Sequence, residues 1–544
     1  MKIQKYIMKG AVVATAALSL TFSSCINDLN VDPIDPNLDS KDKIYTDLNS
    51  YEQGLAKIYA GLAVSGQKGP AGAPDLGGLD EGASQYLRKY WEFQELPTDE
   101  AINGWGDPGQ PELSQATWAA SNVLVEILYY RMTYQITLAN QFIRDTEGAD
   151  FGEDDPTDRM NQMRAEARYL RAMSYWHALD FYGNGIPFTD ENSAIGSTPP
   201  APPASGFGGT EIFEFIESEL MEITSEDAVQ QLKAAKAGFV GQADKAAAYM
   251  LLAKLYMNAE VYTGTPRWED AKVYLEKVIN AGYSLEGDYA NNFMADNYLS
   301  QEIIFSVNYD GLYTQSYGGT TFLIHGAVGG DMSAEEYGID SGWGGHRSTT
   351  ALVEKFEDGN EVQVDPRGMF YREHDRANTD LTKFTDGYAV VKYTNKSRLG
   401  YNGSDPNLTF VDTNFPVFRL ADAYLMLAEA EMRMGGVSGT SMANLEEIWT
   451  RGNVSSDLQT AYKAELSSNP EGFLLDERAR ELYWEGHRRT DLVRFGQFST
   501  SEYVWPWKGG DVNGKGLESK FDLLPLPSSE INANPKLKQN PAWM

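Results

Sequence analysis

The stretch that decides the fold runs from Leu474 to Gly496 and reads LLDERARELYWEGHRRTDLVRFG. Within it, residues 477–495 place apolar side chains at helical spacing among a dense run of acids and arginines. The pattern predicts one mixed-charge helix. Because arginine forms planar, multidentate ion pairs, we interpret these charges as a structural network that ties the helix to its neighbours. A catalytic or partner-contact site is the alternative interpretation.

Four further segments carry helical periodicity. They cover residues 160–182, 244–262, 268–281 and 419–434. The second and third read DKAAAYMLLAKLYMNAEVY and WEDAKVYLEKVINA, on either side of a turn at Gly264-Thr265-Pro266. Small alanines let helices approach closely, so this pair is typical of a tetratricopeptide-type hairpin. The repeat is not regular along the chain, which indicates a few scattered hairpins and not a solenoid.

The helical period fades between about residues 283 and 414. Ile303–Val307 (IIFSV) and Tyr388–Tyr393 (YAVVKY) read as short strands in this stretch. We therefore expect a mainly α fold, with tetratricopeptide-like helical hairpins within about 160–282 and 415–496. The region of about 283–414 would be a large irregular insertion of loops and a few short strands. Loops held on a rigid frame often carry function, so this insertion is predicted to bind the ligand.

The first residues read as a lipoprotein signal peptide, residues 1–24. Three lysines precede an apolar run, Gly10 to Phe22, that is too short to span a bilayer, and Ser23-Ser24-Cys25 follows. This order predicts acylation of Cys25, the single cysteine of the sequence. An ordinary secretory signal with an incidental cysteine is the alternative. Residues 25–42, rich in Asp, Asn and Pro, would be a flexible tether, and residues 43–544 would form the globular domain.

Composition and spacing argue against several function classes. A formal net charge of −33 repels phosphate backbones, so no nucleic-acid partner is expected. None of the five histidines has a second His or Cys at metal-ligand spacing, so no zinc site is expected. Gly104 to Gly109 matches G-x-G-x-x-G, but Pro108 and Pro111 oppose the helix that a dinucleotide site requires, so no cofactor is expected.

Catalysis is not predicted either. Glycoside hydrolysis needs two carboxylates across the scissile bond, and adjacent acids such as Asp80-Glu81 do occur. With 78 acids in the chain, such pairs arise by chance. No Ser/His/Asp order stands out, and Cys25 is taken by the predicted anchor.

Five segments resemble the SusD/RagB family, in the family's order. They are the lipoprotein start with its tether, and residues 164–188, 415–433, 474–496 and 523–543. Together they bracket nearly the whole chain, and the last two are specific. The resemblance implies an α-helical fold built on tetratricopeptide-like hairpins. It also implies lipid anchoring on the outer membrane of a Bacteroidetes-type cell and a SusC-like TonB-dependent transporter as partner.

The resemblance also implies a function in nutrient capture without catalysis. We expect a cell-surface lipoprotein that binds an oligosaccharide or polysaccharide and delivers it to that transporter. A peptide-binding member of the family is the main alternative. A surface glycoside hydrolase and a structural surface protein without a small ligand are the less favoured ones.

Candidate ligand-binding residues come from two stretches that resemble places where the family carries aromatic rings. Trp105 and Trp343 each lie between glycines, which can present a ring in a loop, and are candidates for stacking on sugars. Polar candidates for hydroxyl contacts are Asp80, Arg88 and Asn103. Weaker aromatic candidates are Tyr309 and Tyr337. For each residue, an ordinary packed or surface role is the alternative.

Overall fold

The structure, a computed structural model, describes residues 41–155, 157–196 and 199–544. The predicted signal peptide, Cys25 and almost all of the predicted tether lie outside the described residues. The chain divides into two compact units at Gln53 and Gly54. The helix Lys41–Ile44 lies in the first unit, and the strands, the ion network and the candidate site described below lie in the second.

Helices make up most of the regular structure in the described residues. They are α1 Lys41–Ile44, α2 Leu48–Ala63, α3 Tyr86–Glu95, α4 Gln110–Ser114, α5 Val123–Asp145, α6 Arg159–Tyr182, α7 Glu211–Thr224, α8 Lys245–Met257, α9 Ala259–Thr263, α10 Trp268–Ile279, α11 Gly319–Gly326, α12 Thr350–Val353, α13 Leu420–Arg433, α14 Gly439–Arg451, α15 Ser456–Ser468, α16 Pro470–Leu482, α17 Arg488–Arg494 and α18 Ser528–Ala533. No helix within the described ranges is both long enough and apolar enough to cross a bilayer.

Three two-stranded antiparallel sheets complete the regular structure of the described part. Their strands are β1 Ala101–Asn103, β2 Ile303–Val307, β3 His346–Ser348, β4 Phe370–Tyr371, β5 Ala389–Val390 and β6 Phe415–Arg419, paired β1 with β3, β2 with β6 and β4 with β5. The strand predicted at Ile303–Val307 is confirmed. The strand predicted at Tyr388–Tyr393 is shorter, because only two residues find a partner, in β4.

The predicted tetratricopeptide-type hairpin is formed by α8 and α10, which pack against each other. Asp244 caps α8 by accepting a hydrogen bond from the Ala247 backbone N–H at 3.0 Å. Gly264, with φ +74°, takes the left-handed conformation that ends α9. Ala253 and Ala271 are fully buried, so the small side chains do allow the close approach that the sequence indicates. The mainly α, tetratricopeptide-like fold is confirmed.

The mixed-charge segment is two helices, and the prediction of a single helix over residues 477–495 is wrong. α16 ends at Leu482 and α17 begins at Arg488. Between them Trp484 has φ +64°, a conformation that costs energy for any residue with a Cβ. Its buried indole packs edge-on against Trp91, with 5.2 Å between ring centroids. This long-range contact, which local periodicity does not report, holds the break in place.

A buried ion network joins these helices to the irregular region. At most 5% of each participating side chain is exposed; the acids are Glu302, Asp365, Glu477, Glu481 and Glu485, and the cations are Arg367, Lys392, Arg419, Arg451 and Arg480. Arg419 alone reaches three of these carboxylates, at 2.6–2.7 Å. Arg367, from the predicted insertion, lies 2.7 Å from Glu477 on α16. The predicted structural role of the charges on α16 is confirmed.

We predict that Arg419→Met lowers the free energy of unfolding by roughly 3–5 kcal/mol, because removing one partner leaves buried carboxylates uncompensated. Urea denaturation of the purified protein measures the loss. Lys463→Met is the matched control, since its ion pair with Glu446 is more than 40% exposed on both sides and should contribute no more than about 1 kcal/mol. Equal losses in the two variants would contradict a structural role for the buried network.

Candidate functional site

The two tryptophans predicted from sequence lie side by side because β1 pairs with β3. The register sets Asn103 opposite His346, and the Gly104 backbone N–H donates to the Gly345 carbonyl at 3.1 Å. The loops that leave these strands carry Trp105 and Trp343. The Trp105 indole N–H donates to the Trp343 carbonyl at 3.3 Å, and both rings are partly exposed.

Glycine is required at position 345 for this arrangement. A Cβ built on Gly345 would lie 2.4 Å from the Trp105 ring, closer than real Cβ contacts occur. The absent side chain therefore leaves the space in which the indole lies against the backbone.

Trp343 rests on the buried imidazole of His325. The two rings are stacked, 4.6 Å apart and 27° from parallel, and the His325 carbonyl accepts a hydrogen bond from the Trp343 backbone N–H at 2.7 Å. Nδ1 of His325 lies 2.7 Å from the Ser341 carbonyl. A carbonyl only accepts, so Nδ1 carries the proton. Burial lowers the pKa of His325, and the ring under Trp343 is therefore neutral at neutral pH.

Trp105 has a similar support in His346. The ring centroids are 5.1 Å apart. Asn103 accepts a hydrogen bond from the Trp105 backbone N–H through Oδ1 at 2.7 Å, which turns its amide nitrogen toward Nδ1 of His346 at 2.8 Å. Nδ1 therefore accepts, and Nε2 carries the proton. Burial, reinforced by the nearby Arg88 charge, lowers the pKa of His346 well below its usual value.

Arg88 lies beside this pair. Its guanidinium carbon is 4.1 Å from the centre of the Phe322 ring and 5.8 Å from that of Trp105. Nε donates to Glu92 at 3.0 Å. The Arg88 side chain is 13% exposed, and within the described part of the chain its hydrogen bonds to side chains use Nε alone.

Asp80 is exposed and lies in the turn before α3. Its carboxylate accepts a hydrogen bond from the Ala83 backbone N–H at 2.7 Å. Gly82 in the same turn packs against Tyr317, since a Cβ there would lie 2.8 Å from the Tyr317 Cβ. Tyr317 in turn lies 6.3 Å from Trp343. The turn that holds Asp80 is thus placed beside the aromatic rings.

Three of the predicted residues do not present a free surface at this site. Asn103 is 2% exposed, and both ends of its amide are used to position Trp105 and His346. Tyr309 is 5% exposed, and its hydroxyl accepts a hydrogen bond from Gln85 at 3.3 Å. Tyr337 is half-buried and closes a short 3₁₀ turn. Ligand contact by these three side chains stays a prediction.

The structure adds residues that the sequence reasoning missed. Tyr317 joins the ring cluster, and Tyr313, 87% exposed, stands on the same loop. Both lie in the stretch Asp310 to Gly319, DGLYTQSYGG, whose glycines are the same signal that marked the two tryptophans. His325 carried no local signal, because only the folded backbone brings it under Trp343.

Two carboxyls are buried between α3 and β1, Glu95 at the end of α3 and Glu100 directly before β1. Glu95 accepts hydrogen bonds from the backbone N–H groups of Gly486 and His487, and Glu100 accepts one from Trp484 at 3.1 Å. Burial raises the pKa of Glu95 to about 7. Burial and the like charge of Glu95 raise the pKa of Glu100 well above its usual value. At neutral pH the pair therefore carries less negative charge than two ordinary carboxylates would.

No cluster of three or more His, Cys, Asp or Glu side chains that could hold a metal ion occurs in residues 41–155, 157–196 and 199–544. The arrangement around Trp105 and Trp343 instead offers flat apolar faces, a guanidinium and a carboxylate. Such a combination suits a ligand with apolar faces and many hydroxyls.

Comparison with known proteins identifies relatives over the whole chain. The sequence model of the SusD family matches residues 360–543. The starch-binding protein SusD of Bacteroides thetaiotaomicron is 36% identical over an alignment of 588 positions that covers 99% of both chains. SusD-like protein P25 of Formosa agariphila is 24% identical over 447 positions, covering 76% of this chain and 77% of that protein.

Solved structures show the same fold. A SusD superfamily protein from Bacteroides thetaiotaomicron matches with a TM-score of 0.68 at 20% identity, covering 91% of this chain and 99% of that one. Surface glycan-binding protein A from the same organism, in complex with laminarihexaose, matches with a TM-score of 0.66 at 19% identity, covering 90% and 99%.

The carboxyl pair predicts that stability falls as pH rises. A carboxyl whose folded pKa lies above its unfolded value stabilises the fold fully below the unfolded pKa and loses that contribution as pH passes the folded pKa. For Glu95 the window runs from its ordinary value of 4.5 to about 7. We expect Glu100→Gln, which still accepts from Trp484 but carries no charge, to remove the part of this loss that comes from Glu100. Across the window its melting temperature should therefore fall less, or rise more, with pH than that of the wild type.

Thermal unfolding followed between pH 5 and pH 8.5 checks this. Glu502→Gln, at an exposed side chain, is the control and should follow the wild-type profile. If Glu100→Gln shows the wild-type slope as well, the pair is not the source of the pH dependence.

Proposed function

The chain belongs to the SusD family, and from that premise we propose that it captures a glycan at the cell surface and delivers it to a SusC-like TonB-dependent transporter in the outer membrane. As a member of this family it is a binding protein and not an enzyme. A relative is named for binding starch and a structural neighbour holds laminarihexaose. Both are glycans, which supports the same ligand class here.

The observation that carries the proposal is the pair of tryptophans fixed by the β1–β3 register. Sugar rings have apolar faces that stack on aromatic side chains. Trp105 and Trp343 are hydrogen-bonded to each other and each is supported by a buried histidine, so their orientation is set before a ligand arrives. Preorganisation of this kind reduces the entropy lost on binding.

Charge narrows the ligand class. The Arg88 guanidinium and the Asp80 carboxylate can donate to and accept from hydroxyls. With a net charge of −33, the protein repels polyanions over the range of the ionic atmosphere. A neutral oligosaccharide or polysaccharide therefore fits the site better than an acidic one.

Anchoring is part of the proposal. The Ser23-Ser24-Cys25 sequence after a short apolar run supports acylation of Cys25, and several acyl chains on one residue would hold the protein durably on a membrane. The anchored body would then lie beside the transporter to which the bound glycan passes.

We predict that Trp105→Ala and Trp343→Ala each weaken glycan binding. Loss of one stacking contact should cost roughly 0.5–1.5 kcal/mol beyond lost burial, about a two- to tenfold rise in Kd. Affinity electrophoresis against a panel of soluble neutral polysaccharides, followed by calorimetry on the best ligand, measures the effect.

Trp268→Ala provides the matched control, because Trp268 is also partly exposed but belongs to α10 and not to the ring cluster. It should bind as the wild type does. Binding that survives in both site variants would place the glycan elsewhere, and absence of binding across the panel would overturn the proposed ligand class.

We also expect Cys25→Ser to release the protein from the membrane. The variant lacks the thiol that would be acylated. When a Gram-negative host with lipoprotein processing is fractionated, we expect the wild type in the membrane fraction and the variant in the soluble fraction. Ser24→Ala keeps a small residue before the cysteine and should stay with the membrane. Membrane retention of a Cys25→Ser protein from which residues 1–24 have been removed would refute the anchor.

A further inference from the structure

A surface cavity separate from the candidate site lies between the loop that precedes α8 and the 3₁₀ turn Asn297–Leu299. Its volume is about 190 Å³. Three aromatic side chains line it, and two of them are unusually open to solvent, Phe239 at 70% and Tyr298 at 53% exposure. Val240, also in the lining, is 40% exposed. Exposed apolar side chains that gather around one concave site mark a binding surface, whereas scattered ones do not.

The cavity also has fixed polar groups. The Lys236 ammonium donates to the Gly282 carbonyl at 2.9 Å and to the Gln301 side-chain oxygen at 3.3 Å. It lies 5.0 Å from the centre of the Tyr283 ring. Beneath them Asp244, 4% exposed, accepts a hydrogen bond from the Lys236 backbone N–H at 2.7 Å. The cavity thus combines aromatic rings with donors and acceptors held in place by the fold.

The loop that bears Phe239 is tied to the scaffold. The Asn308 side chain, just after β2, donates to the Val240 carbonyl at 2.7 Å. Gly241, with φ +84°, lies so close to Asn308 that a Cβ would come within 2.4 Å of its amide. These contacts fix the backbone beside Phe239, so the ring is presented from a defined position.

The charges favour an uncharged ligand. Lys236 is the single cation among the residues that line the cavity, and its ammonium already donates to a backbone carbonyl and to an amide oxygen. The buried Asp244 carboxylate would repel an anionic ligand. A peptide strand would need unpaired backbone groups along the cavity, and the backbone of this loop is held by Asn308. A sugar unit needs an aromatic face and a few hydroxyl partners, which this cavity has.

We propose that the cavity lined by Phe239, Tyr298 and Tyr283, with Lys236 and Gln301, is a second carbohydrate site that binds a neutral pyranose unit. The inference rests on the proposed function, since it assumes that the protein binds a glycan. Two sites on one chain would hold a polymer more tightly than either alone, because binding at one raises the effective concentration at the other.

The test uses the purified protein and the soluble polysaccharide that retards the wild type most strongly. Phe239→Ala and Tyr298→Ala should each raise the Kd for this polymer about two- to tenfold, and combining either with Trp343→Ala should weaken binding further than Trp343→Ala alone. Tyr401→Ala is the matched control, because Tyr401 is 71% exposed and does not line the cavity. It should leave the Kd unchanged.

The outcomes separate the two proposals. If Trp105→Ala and Trp343→Ala weaken binding while Phe239→Ala and Tyr298→Ala match the wild type, the second site is overturned and the proposed function stands. In that case we would infer that the exposed rings of Phe239 and Tyr298 contact a protein partner. If the wild type binds no glycan, both proposals fail. Since Phe239 and Tyr298 are exposed, unchanged melting temperatures should accompany the expected loss.

Discussion

The fold depends on pairing charged side chains that are buried away from water. The network around Arg419 buries five carboxylates and five cations, and any arrangement that separated them would leave ions uncompensated at a cost of several kcal/mol each. Arg367 and Lys392 come from the irregular region, whereas Glu477 and Glu481 come from α16. Pairing these groups therefore determines where a region with little regular structure lies against the helices.

The same junction supports the candidate site. Beside the network, the break between α16 and α17 turns Trp484 into the interior, where it packs on Trp91. Trp91 lies 5.2 Å from His346, and His346 supports Trp105. A continuous series of ring contacts thus runs from the charged scaffold to the surface tryptophan. The exposed ring is held by packed groups and not by its loop alone, which is how a surface loop can present a rigid binding face.

Much of this could be predicted from the sequence, because it depends on local signals. Helical spacing gave the hairpin of α8 and α10, and glycines flanking Trp105 and Trp343 marked rings on loops. The features that the sequence did not predict depend on contacts between distant segments. The break at Trp484 is set by packing on Trp91, nearly four hundred residues earlier in the chain. His325 belongs to the candidate site only because the backbone brings it under Trp343, and no local pattern reports that.

The distribution of charge explains how an acidic protein can offer the proposed binding site for neutral ligands. Near the rings, the Arg88 charge is paired with Glu92, and the imidazoles of His325 and His346 are neutral. Binding would then rest on dispersion, apolar burial and hydroxyl hydrogen bonds, which salt screens little. The remaining net negative charge stays on the rest of the molecule, where it opposes polyanions without weakening the contacts that bind a neutral sugar.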